Sequence, residues 1–496
     1  MIFSQHSLPK TLLLCKLFFL VTAGFLCSSG AGAQHTLTPA IEDKIREVES
    51  HLTGRVQIKD SNNYYNLLQR MEAEGVNGLS IAVISNYKIE WAKAYGWADV
   101  AAARKVTNET LFQAASISKS LNALGILKLA RQKKIDLNAD INSYLRSWKF
   151  PYDSVSNGKQ ITLTHLLSHT AGTTVHGFRG YEVTDTLPSV IQILNGQKPA
   201  NNERVRSERE PGKTSVYSGG GTTITQLLVT DVQHQLYEDH IWQNVLKPLG
   251  MMKSSYAQPQ AQTRLQQLST GYNANGKAVK GNYHVYPEQA AAGLWTNPTD
   301  LAKFIIDIQL SLQGKSNKVL DSTFARKFIT PVAPGVALGT FIIQNNNSKY
   351  FNHGGANEGF RCIYYGSLED GNGVVIMLNS DNGRMLDEIA NSVSIVYKWK
   401  NFYNPVVRST VAVPMGTLKT YEGDYHIMGD TVTIKITGQP MLVVNKQEFY
   451  PIYFSSQEDF FSTDLPFDLK FEKDESGKVK GIYFKNNGGE QRAKKL

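Results

Sequence analysis

Hydrophobic positions form short strand-like runs near both ends of the chain and recur at helical spacing between them. Residues 79–84, Leu-Ser-Ile-Ala-Val-Ile, make an apolar run bounded by Gly78 and by a Ser85-Asn86 turn. Residues 88–95 continue it up to Gly96, which predicts a hairpin of two strands. From 111 to about 131 the pattern changes to that of one mostly apolar helix. Further helices are expected at 163–168, 223–232, 237–246 and 298–312, while 39–69 reads as amphipathic helix and linker. Strands return at 336–343 and, around the turn Asp370-Gly-Asn-Gly373, at 361–366 and 374–378, before a closing helix at 385–399. Early strands, a helical middle and late strands imply an α/β (α+β) unit whose two ends meet in one sheet.

Beyond Pro405 the character shifts. Residues 431–436, 441–444, 449–454 and 467–471 read as short strands separated by Gly, Asp and Asn turns, predicting a small antiparallel β domain at 410–496. At the other end, Lys10 and Lys16 precede an apolar run at 17–27 that leads to Ala31-Gly32-Ala33. That is the pattern of an export signal cleaved after Ala33, and the run is shorter than the roughly 20 residues needed to span a bilayer. The expected organisation is therefore a signal at 1–33, a main domain at 34–405 and the β domain at 410–496. The mature protein is expected in the periplasm or secreted, with no membrane span after signal removal.

Composition constrains this picture further. A chain of 496 residues, 41% hydrophobic and 19% charged, is globular and long enough for more than one domain. Cys15 and Cys27 leave with the signal, so Cys362 remains alone and no internal disulfide can form. Lying in the apolar-aromatic run 360–365, Cys362 reads as a small buried hydrophobe rather than a nucleophile. The net charge is +9, and the segment from 405 onward balances 12 basic against 12 acidic residues, so the excess belongs to the part before it. Such an excess suits attraction to anionic cell-wall material or plain solubility. No basic cluster interleaved with aromatics points to nucleic acid.

The candidate chemistry centres on Ser-x-x-Lys, which occurs four times: Ser7 to Lys10, Ser85 to Lys88, Ser116 to Lys119 and Ser156 to Lys159. Context separates them. The first lies in the signal, the second in a turn, and the fourth holds Gly158 in a polar loop; only Ser116 follows Phe112-Gln-Ala-Ala115 at a helix start. There the i,i+3 spacing puts hydroxyl and amine on one helix face, and the helix N-terminus favours negative charge developing on the oxygen. Lys119 can serve as base only when neutral, which a dry pocket favours. Tyr217-Ser218-Gly219 follows Pro211-Gly212 and precedes a helix, where a phenol can face the nucleophile and pass a proton to the leaving group. At His353-Gly354-Gly355, on a strand edge, glycines admit a substrate backbone, and the Ala356 N–H can join that of Ser116 as oxyanion donor.

Taken with Ile161-Thr-Leu-Thr-His-Leu-Leu-Ser-His-Thr-Ala-Gly172, Pro248-Leu-Gly-Met251 and Ala292-Gly-Leu-Trp-Thr-Asn-Pro-Thr-Asp-Leu301, these landmarks occur in order over about 40–400. The chain resembles the serine β-lactamase and penicillin-recognising hydrolase superfamily. The resemblance is to the branch holding class C β-lactamases, DD-carboxypeptidases, D-aminopeptidases and related esterases. It implies an antiparallel sheet flanked by helices with a helical subdomain, and it places the nucleophile on Ser116, the helical lysine on Lys119 and the second-motif tyrosine on Tyr217. The third motif falls on His353 to Gly355. Two departures stand out: Gly219 where many members have Asn, and His353 where β-lactamases usually have Lys. A mostly neutral histidine in place of a fixed cation argues against efficient β-lactam recognition.

The expected function is thus an exported serine acyl hydrolase of the DD-peptidase or D-aminopeptidase type, needing no cofactor. Its expected partners are small peptides, D-amino-acid derivatives or esters, with peptidoglycan among the candidates. A small-ester esterase and a catalytically weak penicillin-binding or sensor protein are the alternatives. Two other patterns carry less. His165-x-x-x-His169 has the spacing of a helical zinc pair but lacks the glutamate of His-Glu-x-x-His, which favours a structural helix. Gly212-Lys213-Thr214 resembles a phosphate loop, but Ser207 stands at its first glycine position, and Glu208 and Glu210 would repel phosphate.

Overall fold

In the computed structural model, described residues are 38–427, 430–445, 448–465, 467–486 and 489–496. The expected export signal, with Cys15 and Cys27, lies outside them. The main sheet uses β1 (Gly78–Ser85), β2 (Lys88–Asp99), β3 (Arg104–Lys105), β4 (Phe341–Asn345), β5 (Ser348–Asn357), β6 (Phe360–Ser367) and β7 (Gly373–Leu378). Their order is β3-β2-β1-β7-β6-β5-β4, antiparallel throughout. β1 lies near the middle with Leu79, Ile81, Ala82, Val83 and Ile84 buried, which is why it reads as an unbroken apolar run. The early and late strands meet where β1 pairs with β7, from Leu79↔Leu378 to Ile84↔Gly373.

Helices cover both faces. On one, α1 (Pro39–Ser50) packs on α5 (Met385–Val396), and the Ser392 hydroxyl donates to Val48 O at 2.8 Å. Tyr365 turns to this face and bonds Asp387. On the other, Ile305 of α4 (Pro298–Leu312) seats against Gly366 and Gly373, where a Cβ would approach its methyl to 2.8 and 3.3 Å. The remaining middle of the chain forms a helical subdomain around α2 (Ser118–Arg131) and α3 (Gly219–Gln233). Both are buried over most of their length, as helices inside a protein rather than at its surface must be.

Three local expectations change. Residues 111–114 do not join α2: Phe112–Gln113 pairs as a short strand with Trp295–Thr296, and the helix starts only at Ser118. The 39–69 segment divides into α1, a strand at Val56–Ile58 and a helix that opens at Leu67. The strand expected at 336–343 runs instead over Phe341–Asn345, because 333–340 turns back on itself before reaching the sheet.

A second, nine-stranded sheet spans 423–495. Its terminal strands, Glu448–Pro451 and Tyr453–Phe454, are neighbours in the chain, so the sheet curls into a nearly closed barrel. Stacked rings fill it: Tyr421 and Phe471 lie 3.9 Å apart by centroid, Phe460 and Phe471 4.4 Å. It touches the main sheet's layers through Arg384, whose guanidinium donates to Phe449 O at 3.1 Å and lies 3.8 Å from Asp464. Among the described residues no helix is long and apolar enough to cross a membrane.

Candidate active site

The site begins with a strained turn. Ala115 has φ +46°, a left-handed conformation that costs a non-glycine residue about 1–2 kcal/mol. It swings the chain from the Phe112–Gln113 strand into a 3-10 turn, Ala115–Ile117, that leads directly into α2. Surrounding bonds hold it: Ala114 N–H donates to Leu294 O at 2.8 Å, and Leu294 N–H donates to Ser118 Oγ at 3.0 Å. Ser116 is thereby partly exposed while its neighbours are buried.

Two donors converge on Ser116 Oγ. Tyr217 Oη donates from 2.7 Å and Lys119 Nζ from 3.1 Å. Lys119 is 4% exposed, donates also to Ala291 O at 2.7 Å, and lies 4.9 Å from the Tyr217 ring centroid. No carboxylate among the described residues forms an ion pair with it. Tyr217 is fixed from both sides. His169 packs against its ring at 4.3 Å and accepts the Ser218 N–H at Nδ1, while His176 Nδ1 donates to Tyr217 O at 2.6 Å. His176 is backed by Glu208 at 3.3 Å.

His353 lies on β5, buried, its ring 6.3 Å from Tyr217 and 5.0 Å from Phe341. Burial first, then the Lys119 charge, lowers its pKa to about 3, and the same two causes push His169 well below the usual histidine range. Both rings are neutral at pH 7. His353 Nδ1 contacts Gly354 O at 2.6 Å; a carbonyl only accepts, so Nδ1 carries the proton and Nε2, buried with no protein partner, presents a lone pair.

The open edge of β5 completes the site. β4 pairs with it only as far as Asn352, whose carbonyl accepts from Thr340 on that side. Backbone groups alternate along a strand, so those of Gly354 and Ala356 face the same edge, past the last residue that pairs with β4. The strand packs against the Ala115–Ile117 turn here, and a Cβ on Gly355 would come within 2.3 Å of Ala114 O. Gly219 opens α3 behind the Ser218 cap, and its missing side chain leaves room for the Phe178 ring, 2.8 Å from where a Cβ would stand.

Sequence reasoning did not single out His169 as a Tyr217 support, nor Phe341, His176, Phe178 or the Ala291 carbonyl. His169 belongs to the Leu-Leu-Ser-His-Thr-Ala-Gly landmark, the one signal that could have pointed to it. It lies beyond the end of the Leu163–Leu167 helix, whereas His165 serves the capping box of that helix, so the two do not share a helix face. Cys362 is buried against Ala114 O, and burial raises its thiol far above the usual range. Glu288 was also missed: fully buried near Tyr181 and Tyr286, its carboxyl is pushed up to about 8 by desolvation.

The family model described as Beta-lactamase matches residues 66–394. Protein flp of Staphylococcus aureus (strain N315) is 26% identical over 337 residues, 65% of this chain and 64% of that protein, so the match spans under two thirds of that relative's length. Among solved structures, the octameric penicillin-binding protein homologue from Pyrococcus abyssi superposes with a TM-score of 0.60 at 18% identity, covering 86% of this chain and 98% of its own. The D-amino acid amidase from Ochrobactrum anthropi SV3 gives 0.54 at 19%, covering 72% and 97%. At these identities the two structures establish likeness of fold.

Proposed function

The chain belongs to the beta-lactamase family of serine hydrolases, and from that premise we propose that it is an exported acyl hydrolase working through Ser116, Lys119 and Tyr217. The observation that carries the reading is the convergence of Tyr217 Oη and Lys119 Nζ on Ser116 Oγ, at 2.7 and 3.1 Å. In the reactive state the Lys119–Tyr217 pair is short of one proton. Ser116 Oγ attacks the substrate carbonyl and gives its proton to the pair; the oxyanion is held by the amides of Ser116 and Ala356. Tyr217 Oη then delivers the proton to the leaving nitrogen or oxygen, and the acyl-enzyme forms. Water attacks that ester, the pair takes its proton, and return of the proton to Oγ frees the acid.

The proposed substrates are D-amino-acid amides or peptides and small esters, in keeping with the named activity of the Ochrobactrum amidase. Neutral His353 supplies no fixed cation for a β-lactam carboxylate, which sets β-lactams below amides and esters. Within this reading 1–33 is the export signal, 34–405 the hydrolase domain and 410–496 an appended β domain. The test is intact-mass analysis after exposure to a fluorophosphonate and to penicillin, beside a panel of D-alanyl peptides, D-aminoacyl amides and p-nitrophenyl esters. We expect a fluorophosphonate adduct on Ser116 and turnover in the panel that vanishes in Ser116→Ala. No adduct from either reagent would leave a binding or sensor protein instead.

A further inference from the structure

We propose that residues 176–181 form a selectivity arch and that Phe178, at its crown, selects substrates whose acyl group is apolar. The proposal rests on the acyl-hydrolase reading above and names the acyl class for that site. Each foot of the arch stands on a wall of the site. At one, His176 Nδ1 donates to Tyr217 O at 2.6 Å, so this foot is tied to the residue whose hydroxyl meets Ser116. At the other, Arg179 O accepts from His284 Nδ1 at 2.9 Å and from Tyr286 Oη at 3.4 Å, and Tyr181 N–H donates to Val285 O at 2.9 Å. Gly180 permits this second contact, since a Cβ there would lie 2.6 Å from the Tyr286 ring.

The second foot leads straight to the nucleophile and the open strand edge. Gln113, three residues before Ser116, donates to His284 O at 2.7 Å, and Glu358, two residues past Ala356, donates its N–H to Tyr286 Oη at 3.1 Å. The arch thus joins the Tyr217 wall to the end of β5. Between its feet the half-buried Phe178 ring rests on Gly219, with Cε2 only 2.8 Å from the place of an added Cβ. A larger residue at 219 would displace the ring.

Elimination gives the direction in which the acyl group runs. Of the four groups on a tetrahedral centre, one is Ser116 Oγ, the oxyanion belongs to the amides of Ser116 and Ala356, and the leaving group turns to Tyr217 Oη. The acyl group is left to run along the open edge of β5, past Ala356, toward the arch. The partly buried Phe178 ring, packed against the core, leaves only its outer part to meet a substrate, and that part rewards burial of an apolar side chain on the acyl group.

The experiment compares p-nitrophenyl acetate, butyrate and hexanoate, which share one leaving group, on the full-length mature chain and its Phe178→Ala and Phe178→Leu variants. We expect KM of the unaltered protein to fall about threefold to fourfold per methylene, the ratio expected from burying one CH2 group. In Phe178→Ala the gradient should flatten to under about 1.5-fold per methylene, and Phe178→Leu should keep most of it. Retained fluorophosphonate labelling of Ser116 and a single cooperative melting transition, even at a lowered temperature, show that each variant is folded with its serine reactive. An identical gradient in Phe178→Ala, with labelling intact, overturns the arch. Loss of labelling in the unaltered protein would instead overturn the hydrolase reading on which it rests.

Discussion

Ser116 receives hydrogen bonds from two side chains that reach it by different routes: Lys119 from the next helical turn, Tyr217 from the far side of the cleft. Removing Tyr217's hydroxyl in Tyr217→Phe should lower kcat by about 10²–10⁴-fold while KM moves little, measured on whichever amide or ester of the panel is turned over. Lys119 and Tyr217 could be read in sequence because local spacing or a short Tyr-Ser-Gly signature marks them. His169 stands in a recognisable landmark, but its support of Tyr217 was not legible, since it depends on a tilted ring contact between segments about fifty residues apart. Glu288 carries a separate expectation. Its pKa, raised from 4.5 to about 8, means the folded chain holds a proton that the unfolded chain has released over that interval, so stability falls as pH rises from about 4.5 to about 8. Each pH unit is worth ~1.4 kcal/mol at most. Glu288→Gln should therefore melt closer to the same temperature at pH 5 and pH 8 than the unaltered protein does, followed by thermal denaturation at both values.

The elements that shape the cleft are those where apolar runs have two readings. Residues 111–114 fit a helical pattern and a buried strand equally well, and only the partner strand at Trp295–Thr296 decides for the strand. That decision matters, because a helix running through Ala115 would abolish the left-handed turn that presents Ser116. The β5 edge was easier to foresee, since paired glycines after His353 mark a close approach. Gly355→Ala tests that approach: its methyl would lie 2.3 Å from Ala114 O and must push β5 off the Ala115–Ile117 turn. We expect a loss of about 1–3 kcal/mol in urea denaturation together with a kcat lowered by at least tenfold. Of the barrel strands, those with β-branched and aromatic alternation, such as Asp430–Thr437, were legible. Gly489–Lys495, with one buried side chain, Ala493, has almost no apolar pattern to read.

At the scale of the molecule, Arg384 is one place where the barrel meets the main sheet's layers. Arg384 meets Glu74 at 3.6 Å, Asp464 at 3.8 Å and Phe449 O at 3.1 Å, and it covers the Tyr450 ring. Deleting 410–496 should lower the melting temperature by exposing that junction, and if substrate preference over the panel stays the same, the barrel is no lid to the cleft. The expectation that early and late strands share a sheet followed from their order alone, yet which strands touch was not legible, because any apolar run can pair with any other of like length. The answer, β1 against β7, ties residue 79 to residue 378, roughly 300 positions away, by backbone bonds at the centre of the sheet. During synthesis the first hairpin is made early, but its inner edge has no neighbour until about three quarters of the polypeptide has emerged. A chain stopped at the Asp370-Gly371 turn should accordingly stay open at that edge, self-associate and show no labelling of its serine, read by size-exclusion chromatography and a fluorophosphonate probe. The hydrolase is assembled last where it was begun first, and a ribosome holding its final third would be holding an unfinished and inactive protein.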